Sequence, residues 1–150
     1  MRDPGTTIDI MIEYALDIAA APEKVWDCLT KPDLMKLWMG DPEMNLVIET
    51  DWTVKGPITV KGFHHVGFEN KGVVERFEKN RQLKYTGLNS VSRLPDRPEN
   101  YTSTTFRLEP MDNETRLTVT VENFPTDAIY RHYNFYWRGA IATIKKLVEG

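Results

Sequence analysis

Residues Thr126 to Gly150 read TDAIYRHYNFYWRGAIATIKKLVEG, and this stretch decides the fold. At 100° per residue, Ile129, Tyr130, Tyr133, Trp137, Ala140, Ile141, Ile144, Leu147 and Val148 fall on one broad arc. Arg131, Arg138, Lys145 and Glu149 fall opposite, which is the pattern of a long amphipathic helix. Thr126 is placed to cap its start, with Asp127 in the first turn. Such a helix needs an apolar surface to lie on, and everything before it reads mainly as strand.

From Met44 to Phe124 short apolar runs alternate with turn chemistry. The expected strands are Met44 to Thr50, Ile58 to His64, Val73 to Phe77, Leu83 to Leu88, Tyr101 to Leu108 and Thr115 to Val121. The turns between them are Gly56-Pro57, Asn70-Lys71-Gly72, Lys79-Asn80-Arg81 and Met111-Asp112-Asn113, with a loop from Ser90 to Asn100. Connections this short favour antiparallel neighbours. Upstream, Ile8, Ile10, Ile12, Tyr14, Leu16 and Ile18 alternate with more polar residues, as a strand with one buried face does. Pro22 and Pro32 then open two short helices, and Gly40 stops the second. The fold class is therefore α+β. A seven-stranded curved antiparallel sheet wraps a long C-terminal helix, two short helices lie between strands one and two, and one domain spans residues 1–150. Sheet twist leaves a gap toward one end of the helix, where a ligand would sit.

Composition excludes several classes. With 19 basic and 22 acidic residues scattered along the chain, the net charge is −3 and no basic stripe suggests nucleic acid. Cys28 is the only cysteine, which fits a reducing, cytoplasmic setting. Asp9, Glu13 and Asp17 interrupt the apolar N-terminal stretch, so it is not read as a signal peptide, and no apolar run is long enough to insert in a membrane.

The order of elements, with a series of local motifs, resembles the helix-grip superfamily (SRPBCC) of START domains, birch-pollen allergen proteins and polyketide cyclases. The likeness is strongest to proteins related to the activator of Hsp90 ATPase, the AHSA1-like branch. The motifs are Ile18-Ala-Ala-Ala-Pro-Glu-Lys-Val-Trp26, Thr30-Lys-Pro-Asp-Leu-Met-Lys-Leu-Trp38, Gly72-Val-Val-Glu-Arg-Phe77, Gln82-Leu-Lys-Tyr85, Thr115-Arg-Leu-Thr-Val-Thr120, Phe124-Pro125 and the run from Tyr136 to Leu147. Met39 replaces a common aromatic, and Gly56-Pro57 stands for a usual glycine pair. The resemblance implies the helix-grip fold and a pocket for lipid-like or polyketide-like molecules. It also implies two rival readings: a cyclase, dehydratase or hydrolase in the same cavity, or an Hsp90-type interaction module.

No zinc, P-loop or nucleophile-elbow pattern occurs, so neither a metal nor a cofactor is expected. The candidates for moving a proton are His64, Glu75 and Tyr85. Glu75 is placed on one strand face with Val73 and Phe77; turned inward, it would be a desolvated base. His64 is read as facing inward with Ile58 and Val60, and His65 as facing the other side. His132 is read as solvated, and Cys28 as inert core. Trp38, His64, Tyr85, Tyr101, Phe106, Tyr133, Tyr136 and Trp137 are expected to converge on the gap. Aromatics with a polar tip suit a pocket for a small hydrophobic or aromatic molecule. Phe135 falls on the polar arc, where it marks either an interface, such as a homodimer contact, or a site covered by a loop.

Overall fold

The computed structural model describes residues 10–150. Strand β1 (Ile12–Ile18) is followed by helices α1 (Pro22–Thr30) and α2 (Pro32–Met39). Then come β2 (Val47–Thr50), β3 (Pro57–His64), β4 (Val66–Glu78), β5 (Gln82–Gly87), β6 (Thr102–Met111) and β7 (Glu114–Glu122), and finally α3 (Asp127–Glu149). The first residues of the alternating stretch, Ile8 and Asp9, lie outside the described residues. Within β1 the alternation holds, with Ile12 and Ile18 buried and Tyr14 and Leu16 half-buried.

All seven strands pair antiparallel in the order β1-β7-β6-β5-β4-β3-β2. Five successive hairpin connections give neighbours in chain order, while α1 and α2 carry the chain from one sheet edge to the other. Asn80 and Asn113 take left-handed φ values of 65° and 60° at two of the reversals, as their short polar side chains permit.

One reversal is not where turn chemistry places it. Asn70-Lys71-Gly72 lies inside β4, and the chain instead turns at His65, whose φ is 65°. Gly72 has a different task. A Cβ there would come within 1.7 Å of the Thr86 carbonyl oxygen, so glycine is needed for β4 to pass close to β5. Asn70 accepts hydrogen bonds from the Ser90 amide (2.9 Å) and hydroxyl (3.2 Å), which ties β4 to the following loop.

At thirteen residues, β4 serves both halves of the sheet. Its first part pairs with β3 through Val73, and its last part pairs with β5 from Val74 onward. A bulge separates Val74 from Arg76. Because a bulge shifts the two-residue phase, Val74 and Phe77 both face the core and Glu75 faces solvent. The expected grouping of Val73, Glu75 and Phe77 on one face is corrected accordingly.

Helix α3 buries Ile129, Trp137, Ala140, Ile141, Ile144 and Val148. Leu147, expected on the same arc, is 38% exposed. Thr126 caps the helix, its hydroxyl accepting from the Ile129 amide at 3.1 Å. At the other end, Lys145 Nζ donates to the Asp17 carbonyl (2.7 Å) and Glu149 accepts from the Ala19 amide (2.8 Å). These bonds fasten the last turns to the end of β1. The helix runs nearest to β1, α1 and α2.

Gly72→Ala is expected to destabilise the protein by about 2–4 kcal/mol in urea unfolding, because the close approach of β4 and β5 must open. Gly139→Ala, whose added Cβ meets nothing within 4 Å, is expected to be neutral or to stabilise by up to about 1 kcal/mol through helix propensity. Equal effects at the two positions would contradict this assignment.

Candidate ligand-binding cavity

Between the first half of α3 and the β3–β6 face of the sheet lies a cavity of about 440 Å³. That is the size of a small-molecule site. Trp38 and Met39 at the end of α2 close one side, Ile58, Val60 and Phe68 another, and Tyr133, Tyr136 and Trp137 form the helical wall. Its base is an aromatic block. Phe106, fully buried, lies 5.9 Å from Tyr85, 6.1 Å from Trp38 and 5.6 Å from Trp137 between ring centroids. Trp38 is held from behind, its indole N–H donating to the Cys28 carbonyl at 2.8 Å. Trp52 donates to the Thr30 carbonyl at 2.8 Å and stacks on Phe77 at 5.5 Å, which backs Tyr85 from the outside.

Among the described residues, no Asp, Glu, Lys or Arg lines the cavity. Its polar groups are phenols, amides, threonine hydroxyls and two imidazoles. Burial pushes the Tyr85, Tyr133 and Tyr136 phenols above their ordinary pKa. Tyr85 and Tyr136 rise further because the three lie near enough to oppose one another's ionisation. All three are therefore neutral donors at physiological pH. Tyr136 makes only a long hydrogen bond, 3.4 Å, to the Trp38 carbonyl. Burial, and then the charge of His64, hold the His132 imidazole below the usual histidine range. Its ring lies on Tyr136, with centroids 6.4 Å apart and 20° between the planes. Among the described residues no three His, Cys, Asp or Glu side chains gather to hold a metal ion.

The sequence from residue 19 to 149 matches the family model described as activator of Hsp90 ATPase homolog 1-like protein. The chain belongs to the AHSA1 family. Among solved structures it is similar to a protein from Cytophaga hutchinsonii, with 27% identity over 95% of each chain and a TM-score of 0.76. A Chromobacterium violaceum protein aligns at 21% identity over 93% of this chain and 97% of that one, TM-score 0.76. The Aha1 dimer from Colwellia psychrerythraea aligns at 24% identity over 93% and 96%, TM-score 0.71. No curated protein sequence matches the chain. The solved structures share the architecture of this chain.

Trp38, His64, Tyr85, Tyr133, Tyr136 and Trp137 of this AHSA1 chain all border the cavity. Phe106 does not; it lies beneath, wholly enclosed by the other rings. Tyr101 is also elsewhere. Its hydroxyl donates to Asp96 at 2.6 Å on the outer loop, and Asp96 is in turn paired with Lys71. Glu75 is exposed, on the solvent face with Val73, while the bulge turns Phe77 to the core. The expected split of His64 and His65 across the sheet fails because His65 is the turn residue, and the two rings lie 4.6 Å apart.

His132 is exposed, as its place on the polar side of the helix predicts, and it also borders the cavity. Its four-residue spacing from Tyr136 is the signal that finds it, since residues so spaced share a helix face. Asn70, Asn89, Thr102 and Thr104 also border the cavity, on strands and loops where sequence periodicity does not mark them. Phe135 is 82% exposed, so no loop of the described residues covers it.

Cys28 is buried, and burial pushes its thiol pKa up to about 11. At about pH 8 only about 0.1% would be thiolate. Native protein is expected to react with a disulfide reagent such as DTNB no faster than it unfolds, while protein in guanidinium reacts at once. Rapid native labelling would contradict the burial of this residue.

Proposed function

We propose that the protein binds a small hydrophobic or aromatic molecule in the cavity between α3 and the sheet. The observation that carries the reading is a cavity of about 440 Å³ walled largely by aromatic and aliphatic side chains, with no Asp, Glu, Lys or Arg among the described residues that line it. A space of this kind left to water would waste apolar surface that a ligand covers, at roughly 25 cal/mol per Å². Buried phenols at Tyr85, Tyr133 and Tyr136 supply donors for an oxygen or nitrogen acceptor on that ligand. The Trp137 indole N–H, buried without a partner among the described residues, adds a donor in the same wall. Residues 1–150 act as one binding domain, and the absence of a basic stripe and the single buried thiol suit a cytoplasmic protein that does not handle nucleic acid.

A cyclase, dehydratase or hydrolase activity has thinner support. Glu75, the one carboxylate considered for it, faces solvent, which leaves phenols and the imidazoles of His64 and His132 as the only groups to move a proton. Pairing with another protein, whether a second copy or an Hsp90-type chaperone, is supported by the exposed Phe135 and the family name. The Colwellia psychrerythraea relative is described as a dimer.

Fluorescence titration with the neutral probe N-phenyl-1-naphthylamine tests the reading. Saturable enhancement is expected, and Thr104→Phe, which fills the cavity from β6, is expected to weaken binding at least about tenfold (about 1.4 kcal/mol). Glu75→Gln is expected to change nothing. No enhancement, or undiminished binding by folded T104F, would contradict it.

A further inference from the structure

Two imidazoles reach the cavity from separate elements. His64 ends β3, and His132 lies early in α3. Both border the cavity while staying solvent-accessible, which places them at its rim. They are near enough that charge on His64 disfavours charge on His132. His65 stands beside His64, and Tyr133 and Tyr136 flank His132.

Among the described residues, nothing negative in the wall balances this pair. The nearby charged side chains of neighbouring elements are already matched. Lys61 of β3 pairs with Glu49 of β2 at 2.8 Å and approaches Glu69 of β4 at 4.0 Å. On α3, Arg131 pairs with Asp127 at 3.4 Å, and on α2, Lys36 with Asp33 at 3.9 Å. Arg93 of the β5–β6 loop borders an adjoining groove with Lys61 and Glu69, not this cavity. From β5, the titratable group is the neutral Tyr85 phenol. Two groups able to become cationic, beside an apolar space and without an anion between them, form a place for an anion that a ligand brings.

We propose that the molecule bound here is an apolar acid, its hydrocarbon or aromatic body in the cavity and its carboxylate at the rim between His64 and His132. This rests on the reading of the cavity as a hydrophobic site. The orientation follows from energetics. A carboxylate inside would give up its water for neutral donors alone, the phenols and the Trp137 indole, with no cation to balance its charge. At the rim it keeps water on one side and gains two charge-assisted hydrogen bonds on the other. The sign of the pH dependence also follows. A bound carboxylate raises the pKa of both imidazoles, so binding takes up protons and strengthens as pH falls through the histidine range.

The test measures binding of 2-naphthoate and of dodecanoate to the full chain by calorimetry at about pH 6 and pH 8, beside 2-naphthamide and dodecanamide. For at least one acid, affinity is expected to rise about tenfold or more from pH 8 to pH 6, with its amide changing less than about twofold. Which acid does so distinguishes an aromatic from a fatty-acid ligand. In folded H64Q/H132Q the difference between acid and amide is expected to disappear. Acids that bind no better than their amides at pH 6, or a pH effect that persists in the double variant, would overturn the proposal. If N-phenyl-1-naphthylamine binds, that failure falls on the rim alone. If neither it nor any of the four probes binds, the hydrophobic-site reading falls and takes the proposal with it.

Discussion

The structure depends on how Trp38 is held. Its indole N–H is committed to the Cys28 carbonyl, which locks α2 onto α1. Its ring packs against Phe106 of the sheet and Trp137 of α3, with centroids 6.1 Å and 5.7 Å away. One side chain thus sets the distance between helical layer and sheet at a point where both are rigid. Aromatic contacts of this kind add roughly 0.5–1.5 kcal/mol each beyond the area they bury. More important is their geometry. The block of Trp38, Phe106, Tyr85 and Trp137 keeps the layers apart, and beyond it the cavity begins.

The sheet contributes the other half of the enclosure. Its two halves are joined by β4, where a bulge at Glu75 and the close passage at Gly72 accompany pairing with β3 along the first half of the strand and with β5 along the second. A bulge bends the strand that carries it and increases its twist. Meanwhile α3 is fastened to β1 at its C-terminal end through Lys145 and Glu149. The helix is therefore anchored at one sheet edge while the opposite strands frame the space near its start.

Much of this was legible in the sequence where periodicity and packing agree. The arc of α3, the alternation of β1, the prolines opening α1 and α2, and Asn80 and Asn113 at turns all carry strong local signals. The misplaced elements have local causes. Histidine at a left-handed turn position is uncommon, so His65 does not announce a hairpin, whereas Asn70-Lys71-Gly72 resembles one. A bulge adds one residue to a period of two, which is why Phe77 does not share the face of Val73 and Glu75. Residue type alone points Tyr101 toward the cavity, but Asp96, five residues earlier in the loop, captures its hydroxyl. His132 is solvent-exposed as helix phase predicts, but its place at the cavity rim depends on the strands standing opposite, which helix phase does not reveal.

Membership in the AHSA1 family explains the architecture and leaves the ligand to be read from this chain's own side chains. Those are neutral phenols inside and imidazoles at the rim, with no buried charge. The most direct measurement of the central claim is an amide chemical-shift map during titration with N-phenyl-1-naphthylamine. Shifts confined to Tyr85, Thr104, His132, Tyr133 and Tyr136 and their neighbours are the result predicted by an internal site. Shifts centred on exposed residues such as Phe63 or Asp112, with the cavity residues unmoved, would contradict it.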